Sequence, residues 1–108
     1  MIQNIENGHV ISEIHQGICS IEFFHPQSNS LPGKILDKLA QEIYSAGKDE
    51  NVKVIILKSA GEKAFCAGAS FDELAQIQNE KEGLEFFSGF AKVINAMRKT
   101  KQFIIVRI

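Results

Sequence analysis

Apolar and polar positions alternate along His9-Val10-Ile11-Ser12-Glu13-Ile14 and again along Ile18-Cys19-Ser20-Ile21-Glu22-Phe23-Phe24, with Gln16-Gly17 between the two runs. Two β-rich segments flanking turn chemistry predict a hairpin. Pro26 and the polar Gln27-Ser28-Asn29-Ser30 interrupt this period. After them Leu31, Ile35, Leu36, Leu39 and Ile43 recur at helical spacing, and Gly47 offers a stop. The spacing predicts a first helix over that stretch.

Asp49-Glu50-Asn51 is a polar connection into Val54-Ile55-Ile56-Leu57, a short run that reads as a fully buried strand. A short second helix is expected from Phe71 to about Gln78, carrying Leu74 and Ile77. From Lys81 to about Lys99, Phe86, Phe87, Phe90, Val93, Ile94 and Met97 mark one apolar face of a third helix, and Arg98, Lys99 and Lys101 complement its C-terminal dipole. The chain then reaches Phe103-Ile104-Ile105-Val106. Two apolar strands joined by helices form a crossover, so they are expected to be parallel neighbours buried on both faces. The order ββαβααβ places the chain in the α/β class.

Composition narrows this further. At 108 residues, 44% of them apolar, the chain is one domain at most. Twelve basic and thirteen acidic residues, without a basic run, argue against nucleic acid as a partner. The apolar runs are strand-sized, which argues against a membrane span. Cys19 and Cys66 make no CxxC or Cys/His cluster, and His9, His15 and His25 lack metal-ligand spacing. Reduced thiols and a cytoplasmic location are expected, with no metal site.

The chemistry concentrates in Lys63-Ala64-Phe65-Cys66-Ala67-Gly68-Ala69-Ser70-Phe71-Asp72-Glu73-Leu74, between the Val54 strand and the second helix. Ala67, Gly68 and Ala69 leave their peptide N–H groups unscreened, and the nearby helix start adds positive potential. Such a loop suits a carbonyl oxygen that becomes negative during reaction. Ser70 and Glu73 have capping-box spacing, so capping is favoured for Ser70 over a nucleophilic role: no G-x-S-x-G elbow surrounds it. Asp72 and Glu73 are read as stabilising the first helical turn. Cys66, with no basic partner evident, reads as a small filler. An ordinary strand-to-helix loop would carry the same small residues without any ligand.

Phe65-Cys66-Ala67-Gly68-Ala69-Ser70-Phe71 resembles the Phe-x-Ala-Gly-Ala-Asp-apolar signature of the enoyl-coenzyme A hydratase/isomerase (crotonase) superfamily. His25-Pro26-Gln27-Ser28-Asn29-Ser30-Leu31 is similar to its basic-Pro-loop-Asn-Ala-Leu segment, and Lys101-Gln102-Phe103-Ile104-Ile105-Val106 looks like its Lys-Pro-apolar strand. The resemblance runs from about Val10 to the last residue. It implies the N-terminal part of a crotonase-like ββα spiral and a hydratase or isomerase, a lyase-type enzyme of fatty acid metabolism. Its substrate would be an acyl-coenzyme A thioester, with coenzyme A as part of the substrate and no further cofactor.

Carried onto this chain, the resemblance assigns the first oxyanion donor to the Ala67 N–H and close substrate contact to Gly68, Ala69 and Ser70. It assigns His25 and Gln27 to the adenine and phosphate end of coenzyme A, and Lys34 is within reach of a phosphate on this reading. Ser70 stands where the family has Asp. Family members are about twice this length or more, and commonly homo-oligomers. The second oxyanion donor and the acid/base carboxylates are expected beyond Ile108, so residues 1–108 read as an apparently truncated N-terminal portion, inactive alone. Two alternatives stand beside this: a non-catalytic acyl-coenzyme A-binding or subunit-interaction module, and an unrelated small α/β domain.

Overall fold

The computed structural model describes residues 8–26, 29–61, 65–66, 68–69 and 71–108. Gln16 and Gly17 take φ values of 50° and 84°, the two-residue turn geometry whose twist matches that of paired strands. β1 (His9–His15) and β2 (Ile18–Phe24) therefore pair antiparallel, with His15 opposite Ile18 and His9 opposite Phe24. β2 alternates, so that Cys19, Ile21 and Phe23 are buried.

β3 (Ser30–Leu31), α1 (Gly33–Lys48), β4 (Val54–Ser59), β5 (Gly68–Ala69), α2 (Phe71–Ala75), α3 (Glu80–Lys99) and β6 (Phe103–Arg107) follow. The main sheet has the order β1-β2-β4-β6, with β4 parallel to both β2 and β6. The expected crossover and its parallel pairing are thus present. α1 packs on β1 and β2, and α3 packs along α1. Ile21, Phe23, Ile35, Ile43 and Ile55 are the largest apolar side chains sealed between sheet and helices. Each such side chain contributes on the order of 1.5–3 kcal/mol on burial. Gln102 ties the start of β6 to this unit: its Nε2 donates to the carbonyls of Ala46, Gly47 and Val52 at 3.4, 3.3 and 3.2 Å.

Several boundaries differ from the sequence expectation. Leu31 belongs to β3 and not to the first helix, because it precedes Pro32, whose ring disfavours helical backbone at the preceding residue. Gly47 does not end α1, which runs on to Lys48 with Asp49 as its C-cap. A Cβ on Gly47 would stand 2.8 Å from Thr100 Cγ2, so the glycine permits close approach of the α3–β6 connection. α2 stops at Ala75, short of Gln78. α3 begins at Glu80 because Asn79 Oδ1 accepts the Glu82 N–H while Glu82 Oε1 accepts the Gln78 N–H, each at 2.9 Å.

The largest departure concerns burial. β4 buries Ile55 and Leu57 on alternate positions, but β6 is mostly exposed, with Phe103 at 82%. Burial on both faces therefore fails for β6, which has β4 on one side and no strand on the other among the described residues. On α3, Phe90, Val93 and Met97 meet the core, whereas Phe87 and Ile94 face solvent at 65% and 55% exposure. The latter pair sits beside the buried stripe at a helical repeat of about 3.6 residues, outside its arc.

Candidate functional site

The site begins where β4 ends. Ala60, just past Ser59, donates its N–H to the Phe23 carbonyl at 2.9 Å, and Gly61 turns the chain at φ 97°. Phe65 returns to the core edge-on to Phe23, with ring centroids 5.2 Å apart. Cys66 also packs against the core, and its Sγ accepts the Gly68 N–H at 3.4 Å. Gly68 has φ 100°, a conformation L side chains rarely adopt. The small residues at this point were expected to form only a loop. Gly68 and Ala69 instead form β5, which pairs parallel with β3: Ser30 opposite Gly68, Leu31 opposite Ala69.

This two-residue ladder brings together the two segments that the sequence singled out separately. A second link uses Asn29, which is 2% exposed and has φ 60°. Its Oδ1 accepts the His25 N–H at 2.8 Å, its Nδ2 donates to the Ala60 carbonyl at 2.9 Å, and its own N–H donates to the His25 carbonyl at 2.9 Å. His25 is thus anchored through its backbone, with its ring against the buried Gly8. A third link joins the helices: Glu73 Oε1 accepts the Gly33 N–H at 2.9 Å. Of the expected site residues, His25, Gly68 and Ala69 lie in this stitched region, and Ala67, Ser70 and Gln27 lie outside the described residues. The capping box therefore has only its Glu73 half on view.

A cleft of about 640 Å³ opens between α1, α2 and the first turns of α3, lined among others by Gly33, Lys34, Glu73, Ile77, Phe86 and Gly89. Lys34 lies in this cleft beside Asp37 and Glu73, and the N-terminal end of α1 is already occupied by the Glu73 carboxylate. An anion there would meet that negative charge, so the expected phosphate contact by Lys34 gains no help from the helix end.

The remaining candidates take structural places. Cys19 is buried, and burial first, then the Glu42 and Asp49 charges, pushes its thiol up. His9 stacks on Phe24 and faces Glu22, with Nε2 3.2 Å from a carboxylate oxygen. Among the described residues no helix is long and apolar enough to cross a membrane.

The sequence named Asn29 only as part of the family-like segment, without a role, and gave no sign of Ala60 or of the role of Glu73 toward α1. Asn29 had one local signal, since Asn is among the few residues tolerated at positive φ. The other two depend on contacts across 31 and 40 positions of chain.

A four-stranded mixed sheet, helices laid on one another, and Gly68–Ala69 paired with Ser30–Leu31 define the N-terminal portion of a crotonase-type α/β fold. The chain belongs to the enoyl-CoA hydratase/isomerase family, whose model matches residues 13–108. It is 31% identical over 75 residues to YngF of Bacillus subtilis, a protein named for the same family, and 32% identical over 74 residues to the small ribosomal subunit protein mS47 of Neurospora crassa. Those matches cover 67% and 63% of this chain but 29% and 15% of the relatives.

Among solved structures, an enoyl-CoA hydratase from Bacillus anthracis superposes with TM-score 0.81 at 26% identity, covering 90% of this chain and 38% of that one. Human enoyl coenzyme A hydratase domain-containing protein 3 superposes with TM-score 0.82 at 25% identity, covering 92% and 39%. An enoyl-CoA hydratase from Mycobacterium smegmatis shares the fold with TM-score 0.83 at 23% identity, again over 92% and 39%. The chain thus spans well under half the length of these relatives.

Proposed function

We propose that this chain supplies the first half of an acyl-coenzyme A site, in which a thioester carbonyl oxygen is held by the backbone N–H of Ala67, beside Gly68 and Ala69. The observation that carries this reading is the β3–β5 ladder, which sets Ser30–Leu31 directly against Gly68–Ala69. On this reading one ligand would span His25, tied to Asn29 just before the ladder, and Gly68–Ala69. An enolate formed from a thioester spreads negative charge onto its carbonyl oxygen. Donors fixed before reaction stabilise that charge more than they stabilise the neutral ground state. In this reading Ala67 gives the first N–H, Gly68 and Ala69 allow close approach, Ser70 caps the following helix, and His25 with Gln27 meets the coenzyme A end.

The reaction on this reading is hydration, isomerisation or a related enolate step, and the family resemblance places the second oxyanion donor and the acid/base carboxylates outside residues 1–108. Lacking one oxyanion donor costs about 10²–10³ in turnover. Lacking acid/base groups costs about 10²–10⁴ more. The purified chain should therefore bind butyryl-coenzyme A saturably in calorimetry yet hydrate crotonyl-coenzyme A no faster than buffer does. Measurable hydration would overturn the inactivity, and absent binding would overturn the acyl-coenzyme A site.

A second reading, a non-catalytic acyl-coenzyme A-binding or subunit-interaction module, is favoured by one observation: the apolar β6 and the outer face of α3 stand open to solvent. It predicts a stable complex with a partner protein, and the ribosomal name of the Neurospora relative is compatible with a family member serving in an assembly.

A further inference from the structure

The ten-residue stretch from Ala60 to Ala69 is gripped at both ends by three consecutive residues, Asn29, Ser30 and Leu31. Asn29 holds the Ala60 carbonyl through its side chain, while Ser30 and Leu31 pair with Gly68 and Ala69. We infer that Asn29 is a positioning residue, which closes the base of this stretch and so fixes the backbone of Gly68 and Ala69 against which a ligand would lie. The ligand class rests on the acyl-coenzyme A reading above, whereas the clamp itself rests only on the contacts of Asn29.

Asn suits this place on three physical counts. The position has φ 60°, where Asn is one of the few tolerated side chains. Its carboxamide offers an acceptor and a donor at once, and both are used: Oδ1 for the His25 N–H, Nδ2 for the Ala60 carbonyl. The side chain is sealed at 2% exposure, so water does not replace either bond cheaply. A buried, two-sided polar link between neighbouring loops thus lowers the number of conformations each must lose when a ligand arrives.

Two substitutions separate the parts. Asn29→Gly keeps the backbone conformation open and removes both side-chain bonds. Asn29→Asp keeps the acceptor for His25 but sets a carboxylate oxygen against the Ala60 carbonyl. Amide hydrogen exchange at Gly68 and Ala69 should rise in both variants at temperatures well below their melting transitions. Butyryl-coenzyme A affinity should fall about tenfold, the loss expected for an unmade buried hydrogen bond.

Unchanged exchange at Gly68 and Ala69, or faster exchange with unchanged affinity, would overturn the inference. If the wild-type chain binds no butyryl-coenzyme A, the acyl-coenzyme A reading falls and exchange alone decides the clamp. Should either variant fail to fold, native-state exchange on the wild-type chain serves instead. The Asn29 carboxamide protons and the Gly68 and Ala69 amides should then open as one unit, and independent opening would overturn the clamp.

Discussion

Glu73 Oε1 accepts the Gly33 N–H at 2.9 Å, so a carboxylate from α2 caps the first turn of α1 across 40 positions of sequence. α1 needs this, because its own N-cap is Pro32, which makes no side-chain cap bond, and its first turn has no acidic residue. Glu73→Ala should cost about 1 kcal/mol, the usual worth of a cap at a positive helix end. In a domain of this size that lowers Tm by roughly 4–8 °C. Glu73→Gln, which keeps an acceptor without the charge, should melt between the two, and equal melting of all three would rule out the cap.

Two glycines of α3 should respond with opposite signs. A Cβ on Gly83 would meet only Ile77 Cγ2 at 3.7 Å, whereas one on Gly89 would stand 2.8 Å from Leu36 Cδ1 and 3.4 Å from Leu36 Cβ. Gly83→Ala should therefore gain the helix-interior preference of up to about 1 kcal/mol. Gly89→Ala should lose more than that gain as the buried Leu36 is displaced. Denaturant midpoints of the two variants check the contrast.

Glu42 should shape the acid limb of stability. Burial pushes its carboxyl up, but hydrogen bonds from Lys38 and Ser12 and the Lys38 charge outweigh this and hold it below the ordinary value of 4.5. Between the lowered value and 4.5 the unfolded chain binds more protons. Stability contributed here is present above that window and lost as pH falls through it. Because Lys38 is well exposed, the contribution is under about 1 kcal/mol. Glu42→Gln should lower the denaturation midpoint at neutral pH and leave it unchanged once wild-type Glu42 is protonated.

The two thiols should differ in reach. Cys19 is buried with its thiol pushed up by that burial, while Cys66 is half-buried and holds the Gly68 N–H. Iodoacetamide applied to the folded chain should label Cys66 first and spare Cys19 until unfolding, as read by peptide mass. Cys66→Ser, retaining an acceptor, should preserve slow exchange at Gly68 better than Cys66→Ala.

Open apolar surface should make the chain sticky. Leu84 is 72% exposed, and Phe87, Ile94, Phe103 and Ile105 are more than half exposed. An uncovered strand such as β6 invites pairing with another chain. Ile105→Lys and Phe87→Glu should each reduce binding of an environment-sensitive dye and self-association in light scattering, with circular dichroism unchanged. Unaltered association in both variants would place the contact elsewhere.

Much of the architecture was legible because it is local. The alternation at Ile18–Phe24, the helical repeat from Ile35 to Ile43 and the apolar run at Val54 each record which side of one element meets the core. The candidate site was legible only as two separate segments, because their composition carried turn and small-residue signals. Misjudged boundaries have local causes too: Pro32 turned Leu31 into strand, and Thr100 explains a glycine that looked like a helix stop.

The sequence by itself determined the α/β class, the hairpin and the crossover, which follow from repeat lengths, and the family, which follows from three separate segments that resemble its pattern in order and from the match over residues 13–108. Tertiary structure alone decided that Ser30–Leu31 pairs with Gly68–Ala69, that Asn29 holds Ala60 and that Glu73 caps Gly33. The physical reason is range. A residue's period reports its own element over a few positions, but a hydrogen bond spanning 31 or 40 positions depends on how the intervening elements pack, which no local pattern encodes.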